Sequence, residues 1–119
     1  MRYMVFVKMR EDVGEAPAAL SQAMGEEMGA LFAAGSMIDA GGLGGAPEAT
    51  EIKLRGGEVI TTNGPWTEAT EVVGGYAILE SRSREEAVEG ARRVIELHKE
   101  HWPGWEGSVE VRPIAGAAD

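Results

Sequence analysis

The residues best suited to chemistry lie in residues 61–81, TTNGPWTEATEVVGGYAILES. A turn signal, NGPW, precedes two glutamates, Glu68 and Glu71. A glutamate at the mouth of a pocket can act as a general base, and conspicuous loops often carry function. The segment also has a structural interpretation, in which the proline presets a turn, Asn63 hydrogen-bonds locally and Trp66 covers one end of a sheet. The sequence leaves both interpretations open.

A second candidate site is residues 97–105, LHKEHWPGW. His98 and His101 are three residues apart, so both can reach one site if a helix persists. Two histidines are fewer than the three protein ligands of a typical catalytic zinc site, and we expect no metal and no cofactor. His98 continues the inner stripe of the helix and is a candidate for proton transfer. Trp102 either plugs the end of a barrel or stacks on a small ligand.

Two further features have no distinguishing pattern. The glycines of residues 41–45, GGLGG, are followed by Pro47 and a hairpin, whereas a phosphate-binding loop requires a following helix and usually a lysine. We therefore expect a flexible or closely packed loop. Asp39 and Arg112 each suit either a polar ligand or an ordinary solvated charge.

Composition restricts the class of protein. A length of 119 residues fits one domain. The absence of cysteine excludes a disulfide framework and a thiol nucleophile, and it is compatible with the cytoplasm, where we expect the protein to act. A net charge of −9 repels nucleic acids and anionic membranes. The apolar N-terminal run is too short for a signal peptide or a membrane helix.

Hydrophobic periodicity predicts six strands and two helices in the order β-α-β-(ββ)-β-α-β. Without the hairpin, this order is a ferredoxin-like α+β arrangement, with both helices on one face of an antiparallel sheet. We expect one domain over residues 1–114 and a frayed tail over residues 115–119. The strands are predicted at residues 3–9, 37–47, 75–80 and 108–114, the hairpin at 52–61 about Gly56-Gly57, and the helices at 16–34 and 83–99.

The predicted sheet carries more apolar surface than two helices can cover. The first strand, YMVFVKM, is apolar on both sides, and the strand at residues 75–80 mixes Tyr76, Ile78 and Leu79. A bare apolar face predicts a partner, and the simplest partner is a second copy related by a two-fold axis. We therefore expect a homodimer, or a higher even oligomer, whose two sheets enclose a barrel-like core.

The segment NGPWTEATEVVGGYAILE resembles the DGPF motif of the YCII-related family, in which an aromatic residue, glutamates and a glycine-led strand follow the aspartate, glycine and proline. The opening MRYMVFV, the glycines around Leu43, the helix start SREEAVEGA and the ending VEVRPI match as well, so the resemblance spans residues 1–114. It implies a dimeric α+β barrel.

The chain departs from the family pattern at two places. Asn63 and Trp66 stand where the motif has aspartate and phenylalanine, and an amide does not titrate, so an acid–base role of that aspartate is not implied here. The best-known branch suggests a His–Asp pair with the histidine at the start of the first helix. This chain has no histidine before His98, and that pair is not implied either.

The sequence thus predicts a small YCII-related protein that binds a small polar molecule in a pocket between sheet and helices. The alternative is a cofactor-independent enzyme, such as an isomerase, lyase or monooxygenase, with Glu68 or His98 as the proton-transfer group. A third interpretation is an interaction module whose dimer face is its function. The candidate ligand-binding residues are Asn63, Trp66, Glu71, His101, Trp102 and Arg112.

Overall fold

The computed structural model describes residues 1–64 and 71–116. Four strands form an antiparallel sheet in the order β2-β5-β1-β6, and β3 and β4 form a separate two-stranded sheet. This is the predicted ferredoxin-like α+β arrangement with an inserted hairpin. The strands are β1 (Arg2–Arg10), β2 (Met37–Gly42), β3 (Thr50–Arg55), β4 (Glu58–Asn63), β5 (Glu71–Glu80) and β6 (Gly107–Pro113), and the helices are α1 (Ala18–Ala33) and α2 (Arg84–His101).

Both helices pack against the same face of the sheet. Tyr3 and Val5 of β1 are buried on this face, and their ladder partners include Leu79 of β5 and Val111 of β6. Because successive side chains in a strand point to opposite faces, Met4 and Phe6 lie on the other face. The core joins strand residues to helix residues: Val5, Met37, Leu79, Ala91, Met28, Leu31, Val109 and Val111.

The first helix begins and ends close to the predicted residues. Pro17 precedes its first turn, and its carbonyl oxygen accepts from the backbone N–H of Leu20 at 3.0 Å. Gly35 follows the helix with a φ of 76°, which is the left-handed conformation that a C-terminal glycine supplies at low cost. The helix buries Leu20 and packs Met28 and Leu31 against the core, whereas Phe32 is exposed.

The second helix has Ser83 as its N-cap, and it continues to His101, two residues beyond the predicted end. The Ser83 hydroxyl accepts from the backbone N–H of Glu86 at 3.1 Å. In a capping box, the Glu86 carboxylate would also accept from the backbone N–H of Ser83. In this structure it instead pairs with Arg82 at 3.0 Å.

Replacing Ser83 with alanine is expected to lower the free energy of unfolding by about 1 kcal/mol, because the backbone N–H of Glu86 loses its acceptor. Urea denaturation of the two proteins measures this difference. Ser83→Asp is the matched control and should retain most of the stability, since aspartate is an equally good N-cap. Equal stability of Ser83→Ala and wild type would show that the cap is dispensable.

The glycine pair in β5 forms a β-bulge. The register with β1 shifts between Val7 and Lys8, whose partners are Gly75 and Val73, so Gly74 is the extra residue. A Cβ at Gly74 would lie 2.6 Å from the Met9 methyl carbon, which only glycine avoids without displacing that side chain. The strand begins at Glu71, four residues before the predicted start at Gly75. Glycines disfavour regular strands, so the sequence suggested a start after Gly74, whereas the bulge lets the strand continue through it.

The predicted hairpin is confirmed and forms an arm (residues 50–63) separate from the main sheet. Gly56 and Gly57 have φ values of 56° and 81°, as a two-residue turn with positive φ at both positions requires. Ile52, Leu54 and Val59 share one face of the arm and are 69%, 76% and 71% exposed. The arm therefore presents apolar side chains to solvent.

Candidate functional site

A cavity of about 720 Å³ lies between the two helices and the sheet. Sites for small molecules mostly have volumes of about 300–1,000 Å³, so this cavity is large enough for a ligand. The glycine-rich loop after β2 forms part of its wall. Most of the lining is apolar and comes from β1, α1, β5 and α2, including Val5, Val7, Leu20, Leu31, Val72 and Val94.

Four methionines line the cavity: Met9, Met24, Met28 and Met37. The chain has six methionines in total, so most of them are at this one place. Methionine is unbranched and polarisable, and it adapts to the shape of whatever it contacts. A wall of this kind can close around apolar bodies of different outlines.

His98 is the buried polar side chain of the cavity wall, with 4% of its surface exposed. Its Nδ1 lies 2.8 Å from the backbone carbonyl oxygen of Val94. A carbonyl only accepts, so Nδ1 carries the proton, and in the neutral ring Nε2 is the acceptor. Among the residues that the structure describes, none donates to Nε2. In its neutral form, the imidazole therefore has the proton on Nδ1 and a lone pair on Nε2 that no described residue uses.

Two tryptophans hold the imidazole ring. The chain after α2 folds back in a turn in which the backbone N–H of Trp105 donates to the carbonyl oxygen of Trp102 at 3.1 Å. Pro103 and Gly104, the latter with a φ of 84°, occupy the central positions that a type II turn prefers. The ring centroids of Trp105 and Trp102 lie 4.3 Å and 6.4 Å from that of His98.

Trp105 occupies a tightly restricted place. A Cβ at Gly107 would overlap Cη2 of the Trp105 ring and lie 2.5 Å from the carbonyl oxygen of Lys8. The ring fits only because residue 107 has no side chain. Trp105 Nε1 is buried without a hydrogen-bond partner in the described part of the chain, so shape rather than hydrogen bonding holds the indole there.

Two charged residues of the cavity wall are engaged in ion pairs. Arg10 Nη2 lies 2.7 Å from Asp12 Oδ2, and Arg93 Nε lies 3.4 Å from Glu27 Oε1. Arg10 and Glu27 both line the cavity. Within the described residues, the cavity wall therefore presents no charge without an opposite charge beside it.

The opposite face of the sheet carries two polar clusters around an apolar centre. Tyr76 donates to Asp39 Oδ2 at 3.0 Å, and the hydrogen bond and negative charge of Asp39 raise the pKa of Tyr76 above its usual value. Lys8 lies 2.8 Å from Glu110, and Arg112 donates to the same carboxylate. These two donors lower the pKa of Glu110.

The predicted site residues do not all meet in one place. His98 and Trp102 line the cavity. His101 Nε2 lies 3.8 Å from Glu100 Oε2, Arg112 lies on the opposite sheet face, and Asn63 Oδ1 accepts from Thr50 at 3.0 Å in the arm. None of these last three lines the cavity.

The remaining predicted residues lie in or beside residues 65–70. Trp66 and Glu68 are outside the described residues. Glu71 begins β5, and its side chain is likewise not described. Their roles remain predictions.

The cavity residues that sequence reasoning missed are the methionines. The helical spacing of Met24 and Met28 indicates an apolar stripe, and such spacing cannot distinguish a packed core stripe from a cavity wall. The only signal in the sequence was the residue type, since flexible methionines and glycines replace branched side chains along this stripe.

Residues 1–64 and 71–116 contain no group of three or more histidine, aspartate or glutamate side chains placed to hold a metal ion. In the same ranges, no helix has the length and apolar character needed to cross a membrane.

Comparison with protein families identifies a domain that spans nearly the whole chain. The model of the YCII-related domain matches residues 1–115 of the 119-residue chain. The match covers both sheets and both helices, and it agrees with the resemblance found in the individual motifs. No relative was found among curated proteins.

Proposed function

The chain belongs to the YCII-related family, and from this premise and the geometry of the cavity we propose that it binds a small molecule between its helices and its sheet. The observation that carries the proposal is a cavity of about 720 Å³ whose wall contains a buried imidazole with a free acceptor nitrogen. Binding sites are typically apolar with a few placed polar groups. The lining favours a ligand with an apolar body and a polar end over a wholly polar one.

Filling the cavity tests this proposal. Met24→Trp adds a large apolar side chain to the helix wall, and it should prevent ligand binding while the protein stays folded. A screen of small aromatic and aliphatic compounds by thermal shift detects binding. A ligand that binds only the native state adds about 3 kcal/mol of stability at a hundredfold excess over Kd, and it thereby raises the melting temperature.

Gln22→Trp is the matched control. Gln22 lies on the exposed side of the same helix and does not line the cavity. Compounds that stabilise wild type and Gln22→Trp but not Met24→Trp would support the cavity as the site. Compounds that stabilise all three proteins equally would place binding elsewhere and contradict the proposal.

We also propose that the protein is a homodimer joined through the sheet face that the helices leave open. Met4, Phe6 and Ile78 lie half-buried at the centre of this face. The neighbouring charges already pair with one another, as in Lys8 with Glu110, so a partner can cover them without isolating a charge. A two-fold related copy brings an identical apolar centre, and the family resemblance implies the same arrangement.

An enzymatic role is the second candidate, and the tautomer of His98 favours it. An imidazole that donates through Nδ1 and keeps Nε2 free has the arrangement of a general base. In this candidate, His98 Nε2 removes a proton from the bound molecule without a cofactor. Conversion of any compound found by the screen, lost in His98→Phe while binding persists, would separate turnover from binding alone.

A further inference from the structure

We infer that the ligand of the proposed binding site, on which this inference rests, is an uncharged molecule with a mainly apolar body. It donates one hydrogen bond to His98 Nε2. Three properties of the cavity wall select this chemical class of ligand: the acceptor nitrogen, the paired charges and the methionines.

The acceptor nitrogen selects a donor. His98 Nδ1 donates to the carbonyl oxygen of Val94 at 2.8 Å, so the other ring nitrogen, Nε2, is an acceptor and not a donor in the neutral ring, and His98 is one of the residues that line the cavity. A hydroxyl or an N–H group satisfies this nitrogen, whereas an ether or a carboxylate does not. A site built to hydrogen-bond one group discriminates against an analogue that lacks it.

The paired charges select against an anion. Arg10 is the cation of the described wall, and Asp12 lies 2.7 Å from it. Glu27 is correspondingly paired with Arg93. An anion in the cavity would lose its hydration without gaining an unneutralised cation, which is unfavourable. The net charge of −9 acts in the same direction.

The methionines select an apolar body of adaptable shape. Met9, Met24, Met28 and Met37 contribute to the wall from two strands and one helix. Their sulfur atoms contact aromatic rings favourably, and their side chains adjust to different outlines. The wall thus accepts several apolar bodies, while His98 fixes the orientation of the polar end.

Three naphthalene compounds of similar size test the class. Naphthol donates a hydrogen bond and is uncharged at neutral pH, because a phenolic hydroxyl titrates at about pH 10. Methoxynaphthalene has no donor, and naphthoate is an anion. Isothermal titration calorimetry of wild type should give a Kd for naphthol roughly two- to tenfold below that for methoxynaphthalene, with naphthoate binding weakest.

His98→Phe keeps a ring against Trp105 and removes the acceptor. In this variant, naphthol and methoxynaphthalene should bind equally. His101→Phe is the matched control, since it changes the same residue type on the same helix but outside the cavity wall, and it should retain the preference for naphthol. The ranking of the three compounds on wild type needs no variant, so the test stands even if His98→Phe fails to fold.

The outcomes separate this inference from the proposed function. Equal binding of naphthol and methoxynaphthalene to wild type, or tightest binding of naphthoate, would overturn the ligand class and leave small-molecule binding intact. Failure of all three compounds to bind would count against the cavity as a binding site and remove both proposals. A preference for naphthol that persists in His98→Phe would show that another group accepts the hydrogen bond, which overturns the assignment to His98.

Discussion

Replacing Gly107 with alanine is expected to destabilise the protein by about 3 kcal/mol, because overpacking at a rigid site costs this much. The added Cβ would overlap the Trp105 ring and lie 2.5 Å from the backbone carbonyl oxygen of Lys8. Neither neighbour can move without a large energetic cost. The Trp105 ring is confined beside His98, and the Lys8 carbonyl belongs to β1 at the point where it pairs with β6. The indole must leave its place or the two strands must separate.

Urea denaturation, with unfolding followed by circular dichroism, measures the effect of Gly107→Ala. Gly25→Ala is the matched control: Gly25 lies on the exposed side of α1, with open space where the alanine Cβ would stand. There, alanine should raise the stability by up to about 1 kcal/mol through its better helix propensity. A Gly107→Ala protein as stable as wild type would show that Trp105 is not confined as described.

Replacing Phe6 with aspartate is expected to convert the proposed dimer into a monomer. Phe6 lies at the centre of the open sheet face, with Tyr76 and Glu110 as its ladder partners. In a two-fold dimer, the substitution would introduce two carboxylates into one apolar interface. Burying an unpaired charge costs several kcal/mol, which is enough to shift a micromolar dimer to monomer.

Sedimentation velocity of wild type and Phe6→Asp measures the change in mass. Phe32→Asp is the matched control, because Phe32 is the other phenylalanine of the chain and lies on the helix side, 46% exposed. This control should remain dimeric. A monomeric wild type would remove the dimer proposal, and a Phe6→Asp protein that stays dimeric would place the interface elsewhere.

The arrangement of elements was predictable because its signals are local. Ser83 with the acids after it indicates a helix start, Gly56-Gly57 indicates a tight turn, and the alternation of Val109 and Val111 with Glu110 indicates a strand with two different faces. The structure confirms each of these. The start of β5 was not predictable in the same way, because only pairing with β1 shows that Gly74 continues the strand as a bulge.

The candidate site was less accessible to sequence reasoning. His98 was identified from its place on the inner stripe of α2, and the structure places it in the cavity wall with Trp102. His101 and Arg112 lie away from this wall because of the rotation of α2 about its own axis and because Arg112 of β6 is on the opposite sheet face. Local sequence patterns specify neither of these. The use of Nδ1 by the Val94 carbonyl depends on a side-chain rotamer, which residue spacing does not specify.

The fold-back of the chain after α2 has a practical consequence. It places two indoles with their ring centroids within 6.4 Å of that of the His98 imidazole, one of the side chains of the cavity wall. If a molecule binds in the cavity as proposed, we expect the environment of these fluorophores to change. Tryptophan emission of the unlabelled protein would then report occupancy of the proposed site.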